Sequence, residues 1–291
     1  MNLATTNKPT LLVIGGPTAV GKTAFAIKIA RQYQTSIISA DSRQFYKEMR
    51  IGTSFPTEEE LSQAPHYFVG HLSIGDYYSI SRYEQDVLRL LPKLFAGNNV
   101  VVMTGGSGLY LDAVCKGIDD LPDPDLEIRK QVIDLYEAEG IEALRTRLRH
   151  LDPVFYASND IANQKRMMRA LEVCLQTGKP YSQWLTQGTK KRSFEIVRYY
   201  LNRPRDILFD RINRRVDMMM EQGLLEEARG LYPQRHLNSL NTVGYKELFQ
   251  YFEGLCSLEE AVEKIKVNTR RYAKRQITWF KREYQELILE D

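Results

Sequence analysis

The chain has 291 residues, of which 43% are hydrophobic, and its formal net charge is only +3. This length suits a core domain with one insertion, and the composition is that of a globular protein with a packed core. The composition excludes a uniformly polycationic or polyanionic protein, and no run approaches the roughly 20 apolar residues that span a bilayer. The polar first ten residues predict no secretory signal. We therefore expect a soluble protein of the cytoplasm.

Cysteine and histidine usage predicts no metal centre built from these residues. The three cysteines lie far apart without CxxC spacing, which is typical of reduced thiols in a cytoplasmic protein. The histidines also lack metal-ligand spacing. These residues are Cys115, Cys174, Cys256, His66, His71, His150 and His236.

Three short apolar runs in the first part of the chain predict strands, at residues 10–16, 36–40 and 99–104. A helix is predicted over 22–33. A second helix is expected to open at Ser81, because Ser81 and Glu84 have the spacing of a capping box. Apolar strands that alternate with helices are typical of a parallel sheet covered on both faces.

The pattern changes at the Pro/Asp-rich segment 119–125, after which helical spacing dominates. Strand character returns at 193–201. The predicted helices on either side of that strand are 126–139, 141–151, 163–177, 181–187, 205–220, 224–232, 245–252 and 258–290. We therefore predict a core in two parts, residues 1–118 and 194–291, the second ending in basic helices, with an all-helical insertion at 119–193.

A phosphate-binding loop is the most specific local motif. It fits G-x-x-x-x-G-K-[ST], follows an apolar strand and opens a helix, which is the context that the motif requires. The glycines let backbone N–H groups converge on phosphate oxygens, Lys22 adds a positive charge, and the Thr23 hydroxyl is placed to bind Mg²⁺. The alternative is a glycine-rich turn with an incidental lysine. The loop consists of Gly16, Pro17, Thr18, Ala19, Val20, Gly21, Lys22 and Thr23. Together these features predict a P-loop NTPase-like α/β fold.

The expected metal-binding acid of an ordinary P-loop NTPase is missing, because strand 99–104 ends in Thr104 and glycines. Strand 36–40 is followed instead by Asp41. Its carboxylate is predicted at the carboxyl edge of the sheet, where α/β proteins build their sites, and could bind metal or accept a proton. The alternative is a turn or helix-cap aspartate.

Six strings in order resemble the tRNA dimethylallyltransferase (tRNA isopentenyltransferase) family in its bacterial form. They extend from residue 11 to about residue 281 and include the unusual DS-x-x-x-Y and KRQ-x-T-W patterns. The strings are GPTAVGKT, ISADSRQFY followed by IGTSFP, GGSGLYLDA, RALEV, TVGYKE and AKRQITWF.

The resemblance implies transfer of a dimethylallyl group from dimethylallyl pyrophosphate to N6 of the adenine at position 37. This adenine lies 3′ of the anticodon in tRNAs that read UNN codons. The resemblance also implies Mg²⁺, release of pyrophosphate and no net use of ATP. It explains the missing acid, since no phosphoryl group is transferred.

The resemblance also assigns roles to individual residues. Asp41 matches the general base, and Ser107 matches a hydroxyl that contacts the adenine, where many relatives have threonine. In the implied reaction negative charge builds on the leaving pyrophosphate, and its place in the phosphate loop suits Lys22 to stabilise that charge. Arg211 and Arg215, four residues apart and so on one helical face, are candidates to complete a pyrophosphate clamp. The alternative for these two is a place on a solvated helix surface.

Further positions match tRNA contacts of the family, beside a basic stretch from Lys264 to Arg282 with eight Lys/Arg and no acid. Such a stretch favours a polyanion, although a solvated helix face is the alternative. Within it we expect Trp279 and Phe280 to be core residues. The predicted tRNA contacts are Asp41, Ser42, Arg43, Gln44, Ser107, Arg129, Lys165, Arg166, Met167, Met168, Arg169, Asn241, Thr242, Val243, Gly244, Tyr245, Lys246, Lys274 and Arg275.

Three other functions remain open from the residues alone. A small-metabolite kinase would share the phosphate loop, and an adenylate isopentenyltransferase would share the catalytic core. A non-catalytic RNA-binding module would retain the loop without its chemistry. The long basic carboxyl-terminal half favours tRNA, and we expect a monomer that binds dimethylallyl pyrophosphate and a tRNA anticodon stem-loop.

Overall fold

A computed structural model describes residues 8–157, 160–185 and 188–289 of the chain. The chain divides into two compact units. One unit consists of Met1–Lys116 together with Lys191–Asp291, and the other of Gly117–Lys190.

The first unit is organised around a parallel sheet of six strands in the described residues. In chain order these are β1 (Thr10–Gly15), β2 (Ile37–Ser39), β3 (His66–Tyr67), β4 (Val100–Gly105), β5 (Glu195–Asn202) and β6 (Gln285–Ile288). Their order across the sheet is β3-β2-β4-β1-β5-β6. The parallel pairing of every neighbouring pair confirms the predicted α/β fold.

The helices connect and cover these strands. They are α1 (Lys22–Tyr33), α2 (Glu58–Ser62), α3 (Ile80–Gly97), α4 (Gly108–Lys116), α5 (Leu126–Leu151), α6 (Pro153–Ala157), α7 (Gln164–Thr177), α8 (Arg205–Glu221), α9 (Leu224–Leu231), α10 (Tyr245–Phe252) and α11 (Leu258–Phe280).

The central strand β1 is buried on both faces, as its unbroken apolar sequence requires. Leu11 and Val13 belong to one core cluster, and Leu12 and Ile14 belong to another. Thr10 stands opposite both Val100 of β4 and Glu195 of β5. The carboxyl ends of β1 and β4 therefore lie side by side, and both strands end in glycine.

The second unit is helical and has its own apolar core. Gly140 interrupts α5 with φ of 74° and ψ of −165°, which separates the two predicted helical segments. The buried Asp152 fixes the connection after α5: its carboxylate accepts hydrogen bonds from the Phe155 N–H at 2.9 Å and the Ser182 N–H at 2.6 Å. Buried apolar residues of this core include Val132, Leu144, Leu148, Phe155 and Leu171.

Helix α3 begins earlier than the sequence pattern indicates. Its N-cap is Ser79, whose hydroxyl accepts a hydrogen bond from the Arg82 N–H at 3.2 Å. Ser81 lies inside the first turn, so the predicted cap was wrong by two residues. Two serines with similar spacing make the choice depend on backbone geometry rather than on residue type.

The prediction of one helix over 258–290 was also wrong. Helix α11 ends at Phe280, and Gln285–Ile288 form β6 beside β5. Residues Tyr199–Asn202 of β5 form the sheet edge with which β6 pairs. This pairing with a distant segment overrides the local helix propensity of the last residues. The predicted helix 181–187 is a single 3₁₀ turn over Tyr181–Trp184, and residues 186–187 lie outside the described range.

Within the described ranges, every helix is too short or too polar to cross a lipid bilayer.

Candidate active site

The phosphate loop lies between the end of β1 and the start of α1. Gly16 and Gly21 have φ of 152° and 105°, values that side-chain-bearing residues rarely adopt. A Cβ on Gly16 would also lie 2.8 Å from the Leu201 carbonyl oxygen of β5. These constraints explain the two glycines of the motif, and the curled backbone leads directly into the amino terminus of α1.

Lys22 lies inside this loop. Its Nζ donates hydrogen bonds to the Gly16 carbonyl at 3.0 Å and the Pro17 carbonyl at 2.8 Å. Burial lowers the pKa of Lys22 to about 8, with Asp41 opposing this shift and Arg215 adding to it. The ammonium group is thus confined beside the loop, and its pKa of about 8 lies well below that of an exposed lysine.

The two arginines of α8 reach the same loop. Arg211 Nε donates to the Ala19 carbonyl at 2.9 Å. Arg215 Nε donates to Ser54 Oγ, and its Nη1 lies 3.5 Å from Thr18 Oγ1. Burial lowers the pKa of Arg215, while Asp41 acts in the opposite sense. The structure therefore brings Arg211 and Arg215 together with Lys22, and their alternative place on a solvated surface was wrong.

Asp41 follows β2 at the same edge of the sheet. Its Oδ1 accepts a hydrogen bond from the Arg43 N–H at 3.1 Å. Its negative charge raises the pKa values of both Lys22 and Arg215, against the effect of burial, so its carboxylate faces the same site as the phosphate-loop cations. A carboxylate in this position could accept a proton or interact with a bound cation.

Ser107 lies in the turn between β4 and α4, next to the segment that carries Asp41. Its Oγ accepts a hydrogen bond from the Ser42 N–H at 3.1 Å and lies 3.2 Å from Ser42 Oγ. The Ser107 N–H donates to the Ala40 carbonyl at 3.3 Å. The segments after β2 and β4 are therefore joined at the residues that the sequence singles out.

Tyr272 of α11 is a site residue that the sequence analysis did not identify. Its hydroxyl lies close enough to Ser107 to interact with it, and the residue is 36% exposed. Burial, followed by Asp41, raises the pKa of the hydroxyl to about 12, so it stays protonated at neutral pH. The sequence offered one indication that Tyr272 belongs to the site. It lies four residues before Gln276, on the same face of the helix that carries the KRQ-x-T-W pattern.

The remaining DSRQ residues connect the site to neighbouring segments. Arg43 Nη1 donates to the Asn238 and Ser239 carbonyls at 3.1 and 2.8 Å. Gln44 Nε2 donates to the Thr53 and Ser54 carbonyls at 3.2 and 2.9 Å. Both side chains hold the rim of the site in place through these bonds.

The NTVGYKE segment, residues 241–247, is only partly at the surface. Asn241 and Lys246 are exposed, whereas Tyr245 is fully buried. Tyr245 was predicted to contact tRNA, but its ring packs in the core and its hydroxyl donates to Glu227 at 2.6 Å, so its side chain is not available for that contact. Thr242 and Val243 are partly exposed, and Gly244 is buried.

In the helical unit the predicted contacts fall into different environments. Lys165 and Arg166 are exposed. Arg129 and Arg169 both bind the buried carboxylate of Glu172, at 3.0 and 3.1 Å, so they also have an internal role. Met168 is partly buried.

Met167 needs a correction. Its side chain is completely buried in the core of the helical unit, and the prediction that it contacts tRNA was wrong. It lies within a basic string, where residue type alone does not reveal which way a helical side chain faces.

The basic stretch of α11 is also divided. Lys274 and Arg275 are exposed, and no acidic group in the described ranges forms a salt bridge with either. Lys266 instead lies 2.7 Å from Asp217 and 3.2 Å from Glu263, and these partners raise its pKa. As predicted, Phe280 is buried and Trp279 packs against the core.

The available oxygen ligands suit Mg²⁺ held mainly by a substrate. The described residues contain no cluster of three or more His, Cys, Asp or Glu side chains that could bind a metal ion. Thr23 and Asp41 offer hard oxygen ligands beside the phosphate loop. Mg²⁺ typically takes few protein ligands and completes its coordination with water and phosphate oxygens. These residues therefore fit a metal that arrives with a diphosphate.

Comparison with known proteins shows that this chain is similar to one family over most of its length. The model of the IPP transferase family matches residues 44–283. tRNA dimethylallyltransferase 1 of Bacteroides thetaiotaomicron is 54% identical over 275 residues, covering 94% of this chain and 89% of that protein. The tRNA dimethylallyltransferase of Christiangramia forsetii is 51% identical over 273 residues, covering 94% and 90%.

Solved structures show the same likeness. The full-length tRNA isopentenylpyrophosphate transferase from Bacillus halodurans is 36% identical, with a TM-score of 0.68 over 97% of this chain and 90% of that one. A eukaryotic dimethylallyltransferase acting on tRNA is 25% identical, with a TM-score of 0.80 over 96% and 73%. Sequence and fold are therefore similar to these relatives along nearly the whole chain.

Proposed function

This chain belongs to the IPP transferase family of tRNA dimethylallyltransferases, and we propose that it alkylates N6 of the adenine at position 37, 3′ of the anticodon, in tRNAs that read UNN codons. The dimethylallyl group comes from dimethylallyl pyrophosphate, and pyrophosphate is released. The observation that supports this most directly is the meeting of Lys22, Arg211 and Arg215 with Asp41 and Ser107 at one edge of the sheet.

The cationic side of the site acts on the leaving group. As the allylic C–O bond breaks, its electron pair moves to the bridging oxygen and negative charge grows on pyrophosphate. Lys22, Arg211, Arg215 and the N–H groups of the loop stabilise this charge in a setting where little reorganisation is needed. The Thr23 hydroxyl would help to hold Mg²⁺, which would supply further charge neutralisation.

The other side of the site acts on the adenine. The N6 nitrogen forms the new bond to C1 of the dimethylallyl group and becomes acidic as it does so. The Asp41 carboxylate takes the N6 proton, which restores a neutral amine. Ser107 contacts the adenine and orients N6. The base must leave the anticodon-loop stack to reach this position.

The tRNA is held by exposed basic residues outside this centre. Lys274 and Arg275 on α11 and Lys165 and Arg166 in the helical unit are suited to phosphate contacts. Such contacts position the RNA, whereas stacking and edge contacts in the loop select the base.

The test is an assay with purified protein, Mg²⁺, radiolabelled dimethylallyl pyrophosphate and tRNA from cells that lack this modification. Nucleoside analysis assigns the label, and we expect it in N6-dimethylallyladenosine next to the anticodon. AMP serves as the matched acceptor control. Label on AMP would identify a free-nucleotide enzyme, and ATP-dependent labelling of small hydroxyl acceptors would identify a kinase. RNA binding without turnover would contradict the catalytic proposal.

A further inference from the structure

The side-chain amide of Gln276 joins the two loops that form the site. Its Oε1 accepts a hydrogen bond from the Thr18 N–H at 2.9 Å, within the phosphate loop. Its Nε2 donates to the Gly106 carbonyl at 2.9 Å, in the turn after β4. Gln276 is 5% exposed, and these two bonds satisfy both ends of a buried amide. Residues from three distant parts of the sequence thus meet at one side chain.

The glycines of both loops make room for this helix face. A Cβ on Gly106 would lie 2.4 Å from Gln276 Nε2, and one on Gly108 would lie 2.4 Å from the Trp279 ring. Phe280 packs in the same way against Gly15, with a distance of 2.4 Å to a Cβ built there. Gln276, Trp279 and Phe280 are three and four residues apart, so one face of α11 is fitted to both loops.

The two bridged loops carry opposite halves of the reaction. The Thr18 hydroxyl lies 3.5 Å from Arg215, on the pyrophosphate side. Gly106 directly precedes Ser107, on the adenine side, and Ser107 is hydrogen-bonded to Ser42 next to Asp41. The amide therefore links the phosphate loop to the turn that carries Ser107.

We propose that Gln276 is a positioning residue that fixes the separation between bound dimethylallyl pyrophosphate and the tRNA adenine. This inference rests on the proposed function. An amide suits the task, because it offers one acceptor for the Thr18 N–H and one donor for the Gly106 carbonyl. Transfer in line requires the reacting atoms to be held at near-contact distance, and a displacement of about 1 Å can cost about a hundredfold in rate.

Two variants test the bridge, by which we mean the pair of hydrogen bonds from the Gln276 amide to Thr18 and Gly106. One variant changes Gln276, and the other changes Gly106. Gln276→Met keeps the length of the side chain and removes both hydrogen bonds. Gly106→Ala leaves Gln276 in place and forces its amide away, at a glycine whose φ is not in the left-handed region. We expect each variant to lower the single-turnover rate, with both substrates saturating, by about tenfold to a hundredfold. The affinity for inorganic pyrophosphate should change by less than about threefold, since Lys22 and both arginines remain.

Asn98→Leu is the matched control. The Asn98 amide also makes one bond as donor and one as acceptor, at the opposite edge of the sheet, donating to the Tyr33 carbonyl at 2.6 Å and accepting from the nearby Val100 N–H at 2.9 Å. Its loss should lower the unfolding temperature but leave the transfer rate unchanged. Equal rates in Gln276→Met and Asn98→Leu would overturn the proposal. If one bridge variant does not fold, the other decides the question.

The two inferences fail in different ways. A wild-type protein that modifies no tRNA would contradict the proposed function before any variant is compared. A wild-type protein that is active, with bridge variants as fast as Asn98→Leu, would contradict only the role of Gln276.

Discussion

Lys22 links the chemistry of the phosphate loop to pH. Since burial holds its folded-state pKa at about 8, below the ordinary value of 10.5, the unfolded chain binds more protons between these two pH values. The unfavourable contribution of Lys22 to stability is therefore complete below about pH 8 and is relieved as pH rises toward 10.5. Pyrophosphate binding instead favours the lower pH, because only the protonated ammonium form of Lys22 attracts phosphate.

We predict that binding of inorganic pyrophosphate weakens as pH rises above 8 and is accompanied by proton uptake. The bound anion favours the charged form of Lys22 and so raises its pKa. Isothermal titration calorimetry at pH 8.5 in Tris and in HEPES, which differ in ionisation enthalpy, measures the uptake. Lys22→Met is the control. Unchanged uptake in that variant would assign the proton to another group.

Asp41→Asn tests the general base. The amide keeps the shape of the side chain but cannot accept the N6 proton, so we expect single-turnover transfer to fall by about 10²- to 10⁴-fold. Binding of tRNA, measured by filter retention, should stay within about twofold, because the basic contacts are elsewhere. Transfer at the wild-type rate would remove Asp41 from this role.

At the scale of elements, a carboxylate on α9 holds the segment that follows the DSRQ motif. The two oxygens of Glu227 accept hydrogen bonds from the N–H groups of Arg50, Ile51 and Gly52 at 2.8–2.9 Å. The buried Tyr245 hydroxyl also donates to it, and burial and this carboxylate raise the pKa of the hydroxyl. The same segment continues to Ser54, the partner of Arg215.

We predict that Glu227→Gln raises the KM for dimethylallyl pyrophosphate about threefold to tenfold and lowers the unfolding temperature. The amide retains one oxygen acceptor, so part of the network that positions Arg215 is lost. Steady-state kinetics and thermal melting provide the measurements. The exposed neighbour Glu226, changed to glutamine, is the charge-matched control. Equal KM values in the two variants would contradict a link from Glu227 to the clamp.

The elements that the sequence predicts well are those whose own residues determine their environment. Strands β1 and β4 are apolar runs that only a doubly covered sheet can bury, and the phosphate loop requires glycine at fixed positions. Strand β6 was missed because its partner decides its conformation. Tyr272 and Gln276 were missed because their roles depend on which face of α11 meets the loops.

At the scale of the molecule, the sequence does not specify which distant residues meet. Arg211 and Ala19 are 192 positions apart, and Gln276 and Thr18 are 258 apart, yet both pairs are hydrogen-bonded. The four-residue spacing of the arginines of α8 places them on one helical face but does not show that this face meets the loop. Burial of Met167 and Tyr245 was likewise not visible, because the strings that match the family contain both core and surface positions.

Charge is also a property of the whole molecule, and a net value of +3 gives little long-range attraction for RNA. Binding of RNA must then depend on local basic groups.

We predict that Lys274→Ala weakens tRNA binding and reduces the slope of log K against log salt by about one. Lys266→Ala removes the same charge but from a residue already paired with Asp217, so it should change the slope less. Filter binding between 50 and 200 mM salt, roughly the range in which phosphate contacts are most visible, measures both. Identical slopes would contradict this division of the stretch.

The position of β1 between β4 and β5 has a consequence for synthesis on the ribosome. One neighbour of β1 ends at Gly105, but the other begins only at Glu195, after the whole helical unit. A nascent chain therefore carries an apolar strand with one unpaired edge while the intervening residues are made, and such an edge invites pairing with other chains. Folding of the helical unit during that interval brings the ends of its segment, Gly117 and Lys190, back together and shortens the search of β5 for β1.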